Sequence, residues 1–345
     1  MKKKITIIIA IIGLILVGFF LKDNLKHKLK YSKIIKEIFA IILFFDGKHE
    51  FSKKIYRSDF NNYLLDKEFV KIKEINTNLE FVKTKDLDKI FIAEYYNIKH
   101  FGILHKSNIK NSKKLLIYFQ GHGGTPHKFD YFNKIKSHYL NKGFDVFALA
   151  MSDKGFNKTG LSFPGHDEKI KNHSTFKNFF DPDNPQKKPL SLMLSGNFYL
   201  IKKLINNNKY ENIYAVGISG GGWYTTFMSA LIPEIEKSYS FAGTFPKMLS
   251  IFKINRGDWE QSKSQIYKKI DYWNLYKLSI LDENYKKNRF HYQIYNKKDP
   301  CCFMSPYADM MYSAVNKINN INFKVILTDL DTHEIDNKFL FKDLK

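Results

Sequence analysis

Asn212-Ile-Tyr-Ala-Val-Gly-Ile-Ser219-Gly-Gly-Gly-Trp-Tyr224 begins as a short apolar run, Ile213 to Ile218, of the kind a buried parallel strand needs. The chain then turns through Gly217-Ile218-Ser219-Gly220-Gly221, a G-x-S-x-G pattern, into a helix expected from about Gly221 to Leu231. A serine presented at a sharp strand-to-helix turn sits in strained backbone, and small neighbours let the chain pass closely on both sides. The helix that follows aims its first N–H groups at any negative charge that develops there. The pattern alone recurs by chance, and its place between a strand and a helix raises it above chance. The competing structural role for Ser219 is a helix N-cap.

Working outward, the same alternation recurs on both sides. Upstream, Lys114 to Gln120 reads as an apolar strand ending in Gly121-His122-Gly123-Gly124-Thr125-Pro126. A helix is expected over Lys128 to Asn141, closed by Gly143, then a strand over Phe144 to Met151. Ser191 to Asn206 reads as the helix leading into the serine strand. Downstream come a strand over Ser238 to Gly243, a helical insertion over Lys247 to Asn288, and a strand over Phe290 to Tyr295 that ends in Asn296-Lys-Lys-Asp299-Pro300. Met304 to Ile318 is a helix candidate. Phe323 to Thr328 is the last strand, followed by Asp329-Leu-Asp-Thr-His333 and a final helix near Glu334 to Leu344. Lys89 to Tyr95 and Lys99 to His105 form a predicted hairpin near Asn97. Strands alternating with helices call for an α/β fold, a mostly parallel sheet covered by helices on both faces. Ser152 to Pro189, rich in Asp, Asn, Pro and Gly, is expected to be a functional loop or lid.

Each strand from Lys114 onward delivers a polar candidate at its C-terminal end, the edge where open α/β sheets bind ligands. In chain order these are Gly123-Gly124, Ser219, Asp299 and His333. With the His122-Gly123-Gly124 turn and the serine elbow, this order makes the chain from about residue 90 onward resemble the α/β-hydrolases of the serine esterase type. The resemblance implies a catalytic triad of Ser219 as nucleophile, His333 as general base and acid, and Asp299 as the group that orients the imidazole. It implies an oxyanion hole from the Gly220 N–H plus one N–H from Gly123 or Gly124, a choice the residues leave open. Asp329 and Asp331 rival Asp299 for the acid role, but they lie close to His333 in sequence and after the wrong strand. His122 is expected to shape the oxyanion turn. The chain departs from many lipases in having Thr125 where a third glycine is common, and Thr332 before the histidine.

The chain has 345 residues, 44% of them hydrophobic and 16% aromatic, values of a globular protein with a sizeable core. The formal charge of +22 invites a nucleic-acid reading, yet arginine appears only at Arg57, Arg256 and Arg289. Lysine spread along the whole chain supplies no bidentate base-reading set, and no nucleic-acid module is visible. Attraction to an anionic membrane surface remains compatible with it. The two cysteines are the adjacent pair Cys301-Cys302, without zinc-ligand spacing, and are expected to be packing residues. His166-Asp167 lacks a third ligand nearby and is expected to be loop, without metal. Trp223, Trp259 and Trp273 are expected to pack in the core or a lid.

Ile5 to Leu21 carries no charge and follows Lys2, Lys3 and Lys4. Lacking a small-residue cleavage site, residues 1–21 are expected to be an uncleaved membrane anchor, with lysines on both sides leaving the orientation open. Residues 22–76 are expected to be helical and juxtamembrane, either packed on the domain or lying on lipid, through Ile34, Ile35, Ile38, Phe39, Ile42 and Leu43. Residues 77–345 are expected to be the catalytic domain, with 247–288 inserted. The expectation is a membrane-anchored serine hydrolase of carboxylic esters, without a cofactor, acting on a small-molecule, lipid or glycan ester. The alternatives are an acyltransferase or peptidase with the same triad, or an inactive binding module of the same fold.

Overall fold

The computed structural model describes residues 33–65, 70–75, 88–95, 98–157, 162–163, 166–169, 189–252, 255–262, 267, 270–281, 288–318 and 321–343. The chain opens with helices α1 (Lys33–Ser52) and α2 (Arg57–Leu64). Strands β1 (Lys71–Ile75), β2 (Lys89–Tyr95), β3 (Ile98–His105) and β4 (Lys114–Phe119) follow, then helix α3 (Asp130–Asn141) and strand β5 (Phe144–Leu149). A small hairpin of β6 (Ser162–Phe163) and β7 (His166–Lys169) precedes helix α4 (Pro189–Asn208). Next come β8 (Asn212–Ile218), α5 (Gly220–Leu231) and β9 (Lys237–Phe241). The insertion holds α6 (Trp259–Ser262) and α7 (Tyr272–Ile280). The chain closes with β10 (Phe290–Asn296), α8 (Tyr307–Val315), β11 (Phe323–Thr328) and α9 (Asn337–Asp343).

Among the described residues the main sheet has nine strands in the order β1-β2-β3-β5-β4-β8-β9-β10-β11. From β5 to β11 every neighbouring pair is parallel, and β1, β2 and β3 extend the sheet antiparallel at one end. Side-chain alternation sorts the core into two layers. Leu115, Ile117 and Phe119 of β4 face one cluster, packed by α1, α4, α5, α7 and α8. Leu116 and Tyr118 face the other, packed by α3 and α9. The expected mostly parallel sheet with helices on both faces is thereby found.

Three expectations need correction. Residues 22–76 are not helical throughout, because Lys71-Ile-Lys-Glu-Ile75 alternates with the period of a strand and pairs antiparallel with β2. The sheet therefore starts ahead of residue 77. His166 and Asp167 lie in β7 rather than in a loop. Among its described residues the insertion begins as a 3₁₀ turn over Lys247–Phe252 and holds only the short helices α6 and α7. Within α1, Phe39 and Leu43 are buried in the main core, the Trp273 indole N–H donates to Asp46 at 2.9 Å, and α8 packs alongside. Among the described residues no helix is long and apolar enough to cross a membrane; residues 1–21 lie outside them.

Two of the three arginines are buried and serve the backbone. Arg57 donates to the carbonyls of Ala230, Leu278 and Leu281 at 2.7–2.9 Å. Arg289 donates to Leu278, Leu281, Ile235, Ile232 and Ser229. These carbonyls sit at or just beyond the C-terminal ends of α5 and α7, where a helix leaves acceptors unsatisfied and a cation is favoured.

Candidate active site

The serine turn is built by close approach. A Cβ at Gly217 would lie 2.2 Å from the Gly221 carbonyl oxygen, and one at Gly221 would lie 2.0 Å from the Phe119 carbonyl oxygen. Only glycine lets β4, β8 and α5 converge there. Ser219 sits at φ +58°, ψ −126°, a region costly for a residue with a side chain. Its N–H donates to the Phe241 carbonyl at 2.8 Å, which fixes the turn to the neighbouring strand. Its side chain makes no cap hydrogen bond to α5, so the N-cap role is not the one found.

Ser219 and His333 line one cavity of about 300 Å3, together with Gly121, His122, Gly123, Phe129 and Tyr131. His333 Nδ1 lies 2.7 Å from Asp299 Oδ2. The Asp299 side chain is fully buried, while that of His333 is one-quarter exposed toward the cavity. Asp299 Oδ1 accepts the N–H groups of Cys301 and Cys302 at 2.8 and 3.3 Å, so both carboxylate oxygens are engaged. The Asn296 side chain holds the loop of His333, donating to the Thr332 and Glu334 carbonyls at 2.7 and 2.9 Å. Asp329 instead points outward, its side chain 89% exposed and paired with Lys297. Asp331 is exposed as well. The structure thus brings Ser219, Asp299 and His333 to one edge of the sheet.

The Gly121–Gly124 turn is tied to the insertion. His122 Nε2 lies 2.9 Å from Glu260 Oε1 and 2.8 Å from Asp258 Oδ2, with Glu260 wholly buried. Burial alone would lower the imidazole, but the Asp258 and Glu260 carboxylates outweigh it and raise His122 to about 9. The ring packs against the start of α5, where a Cβ on Gly220 would meet His122 Cε1 at 2.8 Å. Gly121 backs onto the elbow, since its Cβ would lie 2.5 Å from the Ile218 oxygen and 3.1 Å from Gly220 N. Gly123 lines the cavity. The Gly124 N–H donates to the Gly121 carbonyl at 3.3 Å and is spent inside the turn.

Asp258, Glu260 and Asn296 were not singled out from the sequence. Asn296 closes a strand and could have been read as a loop clamp; the insertion residues carry no spacing that points to His122. Trp223 and Trp273 are fully buried, as expected of packing residues. A larger groove of about 510 Å3 lies between α1, α2 and the insertion, but among the described residues its lining holds no serine, cysteine or histidine.

The chain matches no protein-family model, and no curated protein matches its sequence. Among solved structures it is similar to acetyl xylan esterase 1 from Thermoanaerobacterium sp. JW/SL YS485, at 15% identity and a TM-score of 0.52, covering 87% of this chain and 92% of that one. Est1E from Butyrivibrio proteoclasticus aligns at 11% identity and a TM-score of 0.47, covering 74% and 96%. The Pyrococcus furiosus esterase Pf2001 aligns at 14% and 0.44, covering 85% and 92%. The first of these likenesses shows the fold, which is that of the α/β-hydrolases.

Proposed function

We propose that the protein is a serine hydrolase that cleaves carboxylic esters through an acyl-enzyme on Ser219. One observation carries this reading: a serine in strained backbone shares a cavity with a histidine whose far nitrogen is held by a buried carboxylate. Asp299 keeps the His333 proton on Nδ1, leaving Nε2 to accept the Ser219 proton as Oγ attacks the ester carbonyl. The oxyanion so formed is received by the Gly220 N–H at the start of α5 and by an N–H of the Gly121–Gly123 turn, of which Gly123 lines the cavity. His333 then passes its proton to the departing alcohol, and water repeats the sequence to release the acid. No step needs a cofactor. A cavity of about 300 Å3 is at the small end for ligand sites, which favours short acyl chains.

Labelling with a fluorophosphonate tests the activated serine. Wild type is expected to label and Ser219→Ala and His333→Ala are not; absence of labelling in folded wild type would favour an inactive binding module. We further propose that residues 1–21 anchor the protein in a membrane, a reading that rests on the uncharged run from Ile5 to Leu21 alone. Full-length protein should then partition into the detergent phase and lose that behaviour when residues 1–21 are deleted. Recovery of the full chain in the aqueous phase would refute the anchor.

A further inference from the structure

Cys301 and Cys302 were expected only to pack, yet the fold brings His333 onto them from the loop after β11. One ring nitrogen of His333 and both sulfur atoms lie within 4.8 Å of one another. All three residues line the cavity of Ser219, with Cys301 exposed and Cys302 buried. The pair is held on a fixed frame, because both of its N–H groups donate to Asp299 Oδ1. The other oxygen of that carboxylate holds His333 Nδ1, so Nε2 is the nitrogen left for a new partner. Two sulfurs and an imidazole form a donor set that favours zinc-like ions over the hard, oxygen-seeking cations. A carboxylate behind the histidine is the usual outer support of such a ligand.

We propose that Cys301, Cys302 and His333 bind a thiophilic divalent ion of the Zn2+ class, and that the bound ion silences Ser219 by occupying its base. On binding, the two thiols release their protons, and both Sγ atoms and His333 Nε2 donate lone pairs to the ion. No electron is transferred, and the fourth coordination position faces the cavity, open to water. The lone pair of Nε2 then cannot accept the Ser219 proton, so ion and substrate chemistry compete for one orbital. Binding releases the two thiol protons, so it must tighten as pH rises. The cluster of His122, Asp258 and Glu260 does not compete for this role, since the imidazolium already takes the place of a cation between the two carboxylates.

The inhibitory consequence rests on the hydrolase reading, whereas ion binding does not, and the test separates them. Reduced, chelator-stripped full-length protein is titrated with Zn2+ by calorimetry, as wild type, Ser219→Ala and the double variant Cys301→Ser/Cys302→Ser. Fluorophosphonate labelling rates are measured with Zn2+, with Mg2+ and after chelation. One Zn2+ should bind wild type and Ser219→Ala alike. Loss of the two thiols should weaken binding by at least the 10–100-fold typical of losing an outer-shell partner. Zn2+ should slow wild-type labelling, chelator should restore it, Mg2+ should have no effect, and the double variant should resist. Should the double variant not fold, Cys301→Ser, at an exposed position, carries the same comparison. Zn2+ binding to a wild type that never labels would support the site and refute the hydrolase reading. Unchanged Zn2+ affinity in the cysteine variants, or wild-type labelling indifferent to bound Zn2+, would overturn the proposal.

Discussion

Replacing Asp299 with asparagine separates the shape of the site from its proton placement. The new side chain can keep its oxygen toward the N–H groups of Cys301 and Cys302, which now donate to Oδ1 at 2.8 and 3.3 Å. That choice turns the amide NH2 toward His333. An NH2 group only donates, so Nδ1 must accept and the ring proton moves to Nε2. In the proposed mechanism Nε2 must be bare to take the Ser219 proton, and the full burial of Asp299 leaves no solvent to correct the tautomer. The expected loss in kcat is about 10⁴-fold, equivalent to about 5 kcal/mol of barrier. Unfolding free energy should change by no more than about 1.5 kcal/mol, the scale of one hydrogen bond. The assay is kcat on 4-nitrophenyl acetate with fluorophosphonate labelling, alongside a urea melt. Asp329→Asn, at an exposed position paired with Lys297, should leave kcat within about twofold. A variant at Asp299 that melts like wild type and turns over within tenfold of it would refute the proton argument.

Ser219→Gly should abolish labelling yet raise unfolding free energy by about 1 kcal/mol, because glycine adopts φ +58° without strain; a lower urea midpoint would contradict the strain. His122, raised to about 9 against an ordinary value near 6.5, binds its proton more tightly in the folded state. Its stabilisation, on the order of 3 kcal/mol, is full below pH 6.5 and lost as pH rises through about 9. Urea midpoints of wild type should therefore fall from pH 7 to 9.5 more steeply than those of Glu260→Gln, and parallel slopes would sink the pairing. Buried His100 and His291 have the opposite sign, lowered by burial to about 4 and about 3. The unfolded chain binds more protons below pH 6.5, so stability should fall as pH drops from 6.5 toward 4, with a shallower fall in His291→Gln; equal slopes would show that His291 is not responsible.

Much of the fold was legible because its strands are short, apolar and punctuated. β8, β10 and β11 each ended within a residue of the position that pattern assigned them, and Ser219, Asp299 and His333 follow those three ends. The hairpin of β2 and β3 was legible for the same reason. β1 was missed because Lys-Ile-Lys-Glu-Ile is an edge strand with mostly exposed side chains, so its alternation carries little hydrophobic signal. The tie between His122 and Glu260 was not legible at all. It spans 138 residues and depends on how the insertion folds back over the Gly121–Gly124 turn. The grouping of Cys301, Cys302 and His333 escaped for a related reason: ligand spacing along the chain is informative only when one local element supplies the ligands.

The buried arginines have a consequence for how the molecule opens. Arg57 and Arg289 each bond carbonyls around the ends of both α5 and α7. Releasing the insertion would strip several acceptors from two buried guanidiniums at once, leaving charge without partners in the core. The insertion is therefore no detachable flap over a finished domain but part of the same cooperative unit as the helix behind the serine. Slow-exchanging amides in Gly220–Leu231 and Tyr272–Ile280 should share a single opening free energy, and a lysine at either arginine position should lower it for both helices together.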